Sequence, residues 1–123
     1  MPNASILVLE DDELIRLLLT TVLEDAGYDV MAFDTADQGF EYLEKHSSEV
    51  NMVVSDIRMP GHLDGYDLSR KASVRWPELP ILLTSGFSGR DLELGPNVQF
   101  LPKPWDNERL LRQIDTSLHL HLH

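Results

Sequence analysis

Cysteine is absent from the 123 residues of this chain. Disulfide bonds, zinc–thiolate sites and cysteine nucleophiles are therefore excluded, and the composition suits a reducing compartment. The sequence also lacks an N-terminal signal segment and any apolar run near the ~20 residues that a membrane-spanning helix needs. We therefore expect a cytoplasmic protein without a membrane partner.

Basic residues are scarce: ten Lys and Arg stand against 21 Asp and Glu, which gives a formal charge of -11. Such a surface repels phosphate backbones and anionic lipid, so direct nucleic-acid binding is not expected. A divalent cation or a partner with a basic face would be attracted, although a diffusely acidic surface accounts for the same count. The sequence has no glycine-rich phosphate loop and no Ser or Cys nucleophile motif, which argues against a flavodoxin-like cofactor binder or a small hydrolase.

The length and the apolar fraction of 42% fit one globular domain over residues 1–123, with a core from about residue 4 to residue 118. Five apolar runs predict strands that are covered on both faces, at residues 5–9, 29–33, 50–55, 80–83 and 98–101. Helical spacing of apolar residues predicts helices at residues 13–26, from residue 36, at 64–75 and at 106–118.

Residues 87–97 contain glycine and proline and offer only Leu92 and Leu94 to a core, so the fourth helix should be short or irregular. Five strands alternating with five helices predict an α/β fold. We expect a three-layer, five-stranded parallel sheet with right-handed crossovers and the flavodoxin-like strand order 2-1-3-4-5.

Polar side chains follow the strands predicted for the middle of the sheet. Glu10 and Asp11 come after the first strand, and Asp56 ends the third. Thr84 ends the fourth strand, and Lys103 follows the fifth. Because the carboxyl ends of parallel strands meet at one edge, with the switch point between strands 1 and 3, we expect these side chains to converge in one crevice.

Three carboxylates in one crevice repel one another, by roughly 4 kcal/mol per pair at ~4 Å and an effective dielectric of about 20. A hard divalent cation such as Mg²⁺ would relieve that repulsion, because it binds carboxylate oxygens, keeps waters and leaves a coordination position for a phosphoryl oxygen. Lys103 would add a fixed positive charge and Thr84 a hydroxyl donor. These groups are what in-line phosphoryl transfer to an aspartate requires, with Asp56 as the nucleophile.

Each of these residues also has an ordinary structural interpretation. Asp56 lies close to a Pro-Gly turn, where an aspartate is typically a turn or N-cap residue. Asp12 and Glu13 compete with the two preceding acids for the ligand role, and as acids at a helix N-terminus they are favoured by the macrodipole. Thr84 can be a strand-end hydroxyl and Lys103 a surface charge. Only the combination of these residues favours a site.

The ordered set resembles the response-regulator receiver domain of two-component signalling, the CheY-like superfamily, over nearly the whole chain. The resemblance is carried by Glu10-Asp11, Asp56 with Met59-Pro60-Gly61, Thr84-Ser85 and Lys103-Pro104. The sequence around Thr84 and Lys103 is most similar to that of receivers attached to hybrid histidine kinases.

The resemblance implies that Asp56 accepts a phosphoryl group from a phosphohistidine on a sensor histidine kinase or a histidine phosphotransfer protein. Asp11 and Asp56 would bind Mg²⁺ directly, together with the backbone carbonyl of Arg58. Glu10 would act through a metal-bound water. The protein would catalyse its own phosphorylation and its slow dephosphorylation, as a switch more than a metabolic enzyme.

The same resemblance implies how the switch would work. Lys103, whose bond to Pro104 is often cis in the family, would pair with the phosphoryl group, and Thr84 would move towards it. Phe100, at the family's aromatic switch position, would turn inward, and it can report the switch only through packing because it has no hydroxyl. A downstream protein target would bind the altered surface. The stretch between Thr84 and Lys103 is shorter than in most relatives, and here the chain departs from the family pattern.

The alternative function is a phosphorylation-independent protein-interaction module on the same fold. No DNA-binding output is expected in either case. Trp105 is expected to pack at the start of the last helix. His119, His121 and His123 alternate with leucines at the chain end, which favours a frayed terminus over a chelate for a soft metal, since the chelate would need an extended chain.

Overall fold

The computed structural model describes residues 3–86 and 92–122, including side chains as far as residue 119. Five strands form one sheet: β1 (Ser5–Leu9), β2 (Asp29–Phe33), β3 (Met52–Asp56), β4 (Ile81–Ser85) and β5 (Val98–Pro102). Their order is β2-β1-β3-β4-β5, and every neighbouring pair is parallel. The predicted fold class and strand order are confirmed, and the order switches between β1 and β3.

Four α-helices and one 3-10 turn accompany the sheet in the described residues: α1 (Glu13–Asp25), α2 (Ala36–His46), the 3-10 turn Ser47–Glu49, α3 (Gly65–Arg75) and α4 (Asn107–Leu122). Each helix begins after a residue whose side chain accepts a backbone N–H of the first turn, which satisfies a donor that has no partner inside the helix. These capping residues are Asp12, Thr35, Asp64 and Asp106.

The strands β1, β3 and β4 are buried on both faces, as their continuous apolar runs predict, whereas the edge strands β2 and β5 are only partly buried. Along β1, Leu7 and Leu9 pack towards α2 and α3, whereas Ile6 and Val8 pack towards α1 and α4. Successive side chains of a strand point to opposite faces, so one run supplies both layers. The helices therefore cover both faces of the central strands and leave the carboxyl edge of the sheet for polar residues.

The apolar residues whose helical spacing predicted α1 do not all face the core. Ile15, Val22 and their neighbours Leu19 and Leu23 pack inward. Leu14 and Leu18 belong to the same helical pattern, yet Leu14 is 75% exposed and Leu18 is 52% exposed. The helix ends at the C-cap Ala26, and the next residue, Gly27, has φ +98°, the left-handed conformation that glycine adopts without strain.

The connection from β4 to β5 has no helix at residues 92–97, and the rest of the expected fourth helix, residues 87–91, lies outside the described residues. Leu92 and Leu94 pack against the core as predicted. The end of the connection is held by Asn97, whose side-chain amide donates to the Leu79 carbonyl at 2.7 Å and accepts from the Ser73 hydroxyl at 3.0 Å.

The last helix is longer than predicted, because α4 continues to Leu122. The expectation of a frayed end is therefore wrong for residues 119–122. The predicted alternative, a chelate for a soft metal, would need an extended chain, whereas the backbone from residue 119 to residue 122 is helical. His123 lies outside the described residues. In the part of the chain that the structure describes, no helix combines the length and apolar character needed to cross a membrane.

Candidate functional site

Three carboxylates meet where β1 and β3 end. Glu10 directly follows β1 and is 1% exposed, Asp11 is exposed, and Asp56 is the last residue of β3 with 12% of its side chain exposed. One carboxylate oxygen from each lies within 4.8 Å of the other two. The convergence of these acids follows from the parallel pairing of β1 with β3, which brings their carboxyl ends to the same edge.

Lys103 reaches this cluster from the loop after β5. Its ammonium Nζ lies 3.2 Å from Glu10 Oε1 and 3.2 Å from Asp56 Oδ2. Its backbone N–H donates to the Ser85 carbonyl at 2.7 Å, which ties the loop to β4, and its bond to Pro104 is cis. One cation therefore bridges two acids that are 46 residues apart in the chain. The interpretation of Lys103 as an isolated surface charge is wrong.

The protonation equilibria reflect this crowding. Burial raises the pKa of Glu10 above its ordinary value; the N–H of Asp12 and the Lys103 ammonium act against this rise, while the charge of Asp56 adds to it. Burial lowers the pKa of Lys103, but the carboxylates of Asp56 and Glu10 outweigh that effect, and the net pKa lies above its ordinary value. Lys103 is thus held as a cation.

Hydrogen bonds distinguish the roles of the four consecutive acids at residues 10–13. The Asp12 carboxylate caps α1 by accepting from the backbone N–H groups of Leu14 and Ile15, both at 3.0 Å. Its own N–H donates to Glu10 Oε2 at 3.1 Å and so orients that carboxylate. Glu13 lies in the first turn of α1. The structural interpretation therefore fits Asp12 and Glu13, whereas Glu10 and Asp11 lie in the cluster with Asp56.

Thr84 lies on β4 directly beside Asp56 in the β3–β4 pairing. It is 1% exposed, and its hydroxyl has no hydrogen-bond partner among the described residues. An unpaired buried hydroxyl is uncommon, because its desolvation is not repaid by a hydrogen bond. Phe100 is half-buried on β5, packs against the core cluster on the α2 and α3 side, and pairs with Leu83, the neighbour of Thr84.

A model of the response regulator receiver domain matches residues 6–115. The chain belongs to this family. The receiver is 36% identical over 118 residues to the transcriptional regulatory protein FixJ of Bradyrhizobium diazoefficiens, which covers 92% of this chain and 56% of FixJ. It is 32% identical over 117 residues to the response regulator receiver protein CpdR of Brucella abortus, which covers 92% of this chain and 95% of CpdR.

Solved structures agree with this assignment. The receiver domain of the hybrid histidine kinase CckA matches with a TM-score of 0.81 and 28% identity, over 94% of this chain and 99% of that domain. The chain therefore corresponds to a receiver of two-component systems, and the predicted resemblance is confirmed. It spans just over half of FixJ and 13% of the sensor kinase CckA of Brucella abortus.

The donor set of the receiver's acidic cluster fits Mg²⁺. All three groups offer carboxylate oxygens, which hard divalent cations prefer, and two of the three are largely buried beside a single ammonium. The orphaned Thr84 hydroxyl lies on the next strand and is free to donate to an oxygen brought in by a ligand. The cluster has neither the thiolate nor the imidazole that would favour a softer metal.

Sequence reasoning missed Gly65, the first residue of α3. Its N–H donates to the Ile57 carbonyl at 2.8 Å, and a Cβ built on it would run into the backbone carbonyl of Asp56. Ser55 donates its hydroxyl to that same carbonyl at 2.8 Å. The signal in the sequence was a glycine at the start of a helix, just after the capping Asp64. The backbone there has no positive φ that would call for glycine, so the reason for the glycine is the close contact.

The surface beside the site is apolar on α1. Leu14, Leu17 and Leu18 are 75%, 62% and 52% exposed, and they follow one another at helical spacing. Leu18 also lines a cavity of about 520 Å³ together with Trp105 and Lys103. Trp105 packs against the core layer of α1 and α4, in agreement with its predicted packing role. Apolar surface of this kind adjoining a reactive site is typical of a protein-docking surface.

We predict that Thr84→Val stabilises the unphosphorylated receiver. Valine has the same shape as threonine and removes a buried hydroxyl whose unpaired burial costs about 1–3 kcal/mol, so the free energy of unfolding should rise by roughly 1 kcal/mol. Urea denaturation measures this difference. Ser69→Ala is the matched control, because the buried Ser69 hydroxyl donates to the Tyr66 carbonyl at 2.8 Å, and its loss should destabilise the protein. A destabilised Thr84→Val would contradict the unpaired state of the hydroxyl.

Proposed function

We propose that this chain, as a single receiver domain, accepts a phosphoryl group on the Asp56 carboxylate within a two-component phosphorelay. The observation that supports it best is the convergence of three acids and one lysine from the ends of β1, β3 and β5. An ion pair with a purely structural role would need only one acid beside the lysine, whereas three acids meet here. An excess of buried negative charge around a reactive carboxylate is what a cation-dependent phospho-acceptor requires.

The residues that would hold Mg²⁺ are Asp11, Asp56 and the backbone carbonyl of Arg58, with Glu10 acting through a bound water. When bound, the ion would neutralise the carboxylates and the oxygens of the incoming phosphoryl group. Family membership supports this assignment, as does the all-oxygen donor set. Glu10 is suited to the indirect role, because both of its oxygens are already engaged, one by Lys103 and one by the Asp12 N–H.

The chain's own groups supply the rest of the reaction. An Asp56 oxygen attacks phosphorus in line as the phosphorus–nitrogen bond of a phosphohistidine breaks, and the imidazole nitrogen leaves with the bonding electron pair. The Lys103 ammonium then pairs with a phosphoryl oxygen, and the Thr84 hydroxyl donates to another. Thr84 would shift to do so, and the space it leaves would let Phe100 turn inward and alter the outer surface. A downstream protein target would recognise that change.

The donor is proposed to be a histidine kinase or a histidine phosphotransfer protein that docks on the leucines of α1. The leucines are exposed, and Leu18 lines the same cavity as Lys103, whose ammonium contacts Asp56, so a partner seated on α1 would lie beside the site. Acids flank them at both ends of the helix, Asp11 to Glu13 at one and Glu24 with Asp25 at the other. This pattern favours an amphipathic partner helix that carries basic residues around an apolar stripe.

Removal of the cation tests the proposal. With Mg²⁺ and a small acyl-phosphate donor, the protein should gain one phosphate per chain that is stable to acid and labile to hydroxylamine. With excess chelator in place of Mg²⁺, the gain should fall to background, because the three carboxylates would repel the incoming phosphate. Intact mass and phosphate release measure both. A folded protein that gains no phosphate with Mg²⁺ would instead favour the phosphorylation-independent interaction module.

A further inference from the structure

Asp37, in the first turn of α2, holds the loop that follows the phospho-acceptor strand. Its Oδ2 accepts the backbone N–H of His62 at 2.9 Å, and its Oδ1 accepts that of Leu63 at 3.1 Å. The two donors are consecutive in the chain and lie 25 and 26 residues from the acceptor. Both oxygens of one carboxylate are therefore used on the loop, and we call Asp37 with these two N–H groups the clasp.

Gly61 makes this clasp possible. Its φ of +111° is a conformation that other residues rarely adopt, and it turns the chain immediately before the two donors. A Cβ on this residue would collide with Asp37 Oδ2, so the backbone approaches the carboxylate as closely as glycine allows. A side chain at residue 61 would both strain the turn and push the carboxylate away. The glycine at residue 61 and the two N–H donors that follow it therefore both fit the Asp37 carboxylate on α2.

The rest of the loop is fixed at its two ends. The Gly65 N–H donates to the Ile57 carbonyl at 2.8 Å, which closes the loop over eight residues, and the Ile57 N–H donates to the Thr84 carbonyl at 3.0 Å. Met59 and Leu63 pack against the core. The clasp therefore acts on the middle of the loop. The first residues of the loop directly follow Asp56, and the Arg58 carbonyl belongs to them.

We propose that Asp37 is a positioning residue for the phosphorylation site, which keeps the loop after β3 in the conformation that presents the Arg58 carbonyl to the cation. This inference rests on the proposed function. Charge-assisted hydrogen bonds to a carboxylate are stronger than neutral ones, so loss of both should let the loop populate other conformations. The apparent affinity for Mg²⁺ then falls in proportion to the fraction of chains with a competent loop.

The test compares Asp37→Ala with Asp34→Ala, which removes the same charge from an exposed residue just before α2. In the absence of metal, the amide protons of His62 and Leu63 should exchange about tenfold faster in Asp37→Ala and at the wild-type rate in Asp34→Ala. Calorimetric titration of the folded proteins with Mg²⁺ should give a dissociation constant raised about fivefold by Asp37→Ala alone. Asp37→Asn keeps one acceptor oxygen, and both of its effects should be intermediate.

Each outcome decides the matter. Unchanged exchange at residues 62 and 63 overturns the clasp, and faster exchange with an unchanged Mg²⁺ affinity overturns the positioning role. If Asp37→Ala fails to fold, the intermediate values of Asp37→Asn carry the test, and wild-type values there overturn the inference. A wild-type protein that binds no Mg²⁺ overturns the proposed function itself, whereas wild-type binding that Asp37→Ala leaves intact overturns only the role of Asp37.

Discussion

Asp56→Asn is expected to gain at least ~100-fold less phosphate than the wild-type protein from an acyl-phosphate donor with Mg²⁺, because a carboxamide oxygen is not a nucleophile. The variant also removes one of the three carboxylates of the acidic cluster. The Lys103 ammonium keeps its contact with Glu10, so we expect the fold to be retained. Intact mass after a fixed incubation measures the gain, and circular dichroism verifies the fold.

Asp12→Asn is the control for this result. It removes the same charge two residues from Glu10, and asparagine caps a helix as well as aspartate does. Its phosphate gain should stay within about twofold of wild type, because the Asp12 carboxylate faces the first turn of α1. Equal phosphate gain in Asp56→Asn and wild type would place the acceptor elsewhere. Loss of phosphate in Asp12→Asn would show that the capping acid belongs to the reaction.

Gly65→Ala is expected to have the largest effect on stability. The added methyl group would meet the backbone carbonyl of Asp56, which has no side-chain torsion through which to give way. The destabilisation caused by overpacking should be near the upper end of its usual range when the added group meets backbone atoms. We therefore expect a loss of about 3 kcal/mol in the free energy of unfolding. The melting temperature should fall by about 10 °C. Since the carbonyl belongs to the acceptor residue, the rate of phosphorylation should also drop, by about tenfold for a small displacement of Asp56.

Gly86→Ala provides the matched comparison. Gly86 directly follows β4, its φ is not in the left-handed region, and a Cβ there would meet no atom of the described residues within 4 Å. We expect its stability to lie within about 0.5 kcal/mol of wild type. If Gly65→Ala melted at the wild-type temperature, the close approach of α3 to Asp56 would be relaxed easily. If its stability fell and its phosphorylation rate did not, α3 would contribute to the fold without positioning the acceptor.

The strands and the meeting of the site residues were predictable from the sequence because each strand is marked by a pattern along a single segment. The strand order was expected from the doubly wound class of fold and not from those patterns. Continuous apolar runs identify buried parallel strands, and the carboxyl ends of such strands meet at one edge. From these two rules the sequence predicted that Glu10, Asp56 and Lys103 meet, and in the structure the Lys103 ammonium lies 3.2 Å from a carboxylate oxygen of each acid. The rules needed no knowledge of loop conformation.

Features that depend on side chains from two distant segments were not predictable. Leu14 and Leu18 match the helical period as well as Ile15 and Leu19 do, and periodicity alone does not tell which of two adjacent apolar stripes faces the core. The Asp37 clasp joins a helix to a loop 25 residues later. An aspartate in a first helical turn already has a sufficient local explanation in the macrodipole, so nothing in the sequence marked it for a second role.

The irregular course of residues 92–97, within the stretch predicted to carry a short or irregular fourth helix, has a related cause. An alternating α/β pattern predicted a helix between β4 and β5, yet residues 92–97 have none. These residues are held by contacts that α3 supplies, such as the Tyr66 hydroxyl, which donates to the Glu93 carbonyl at 3.1 Å. Backbone groups satisfied by a neighbouring element do not need a helix of their own. The shortened stretch noted in the sequence thus corresponds to an irregular connection in its described part.

Asp56 pairs with Thr84, and Thr84 pairs with Leu101, so one strand lies between Asp56 and β5. With strands about 4.8 Å apart, a structural change that starts at Asp56 has to cover only ~10 Å to reach β5. Side chains can carry it by rotation while every ladder hydrogen bond stays intact, and such motions finish within microseconds. Phosphoryl transfer by kinases takes about 10 milliseconds to a second. Under the proposed function, the rate of the response would therefore be set by phosphoryl transfer, and the side-chain motions would not limit it.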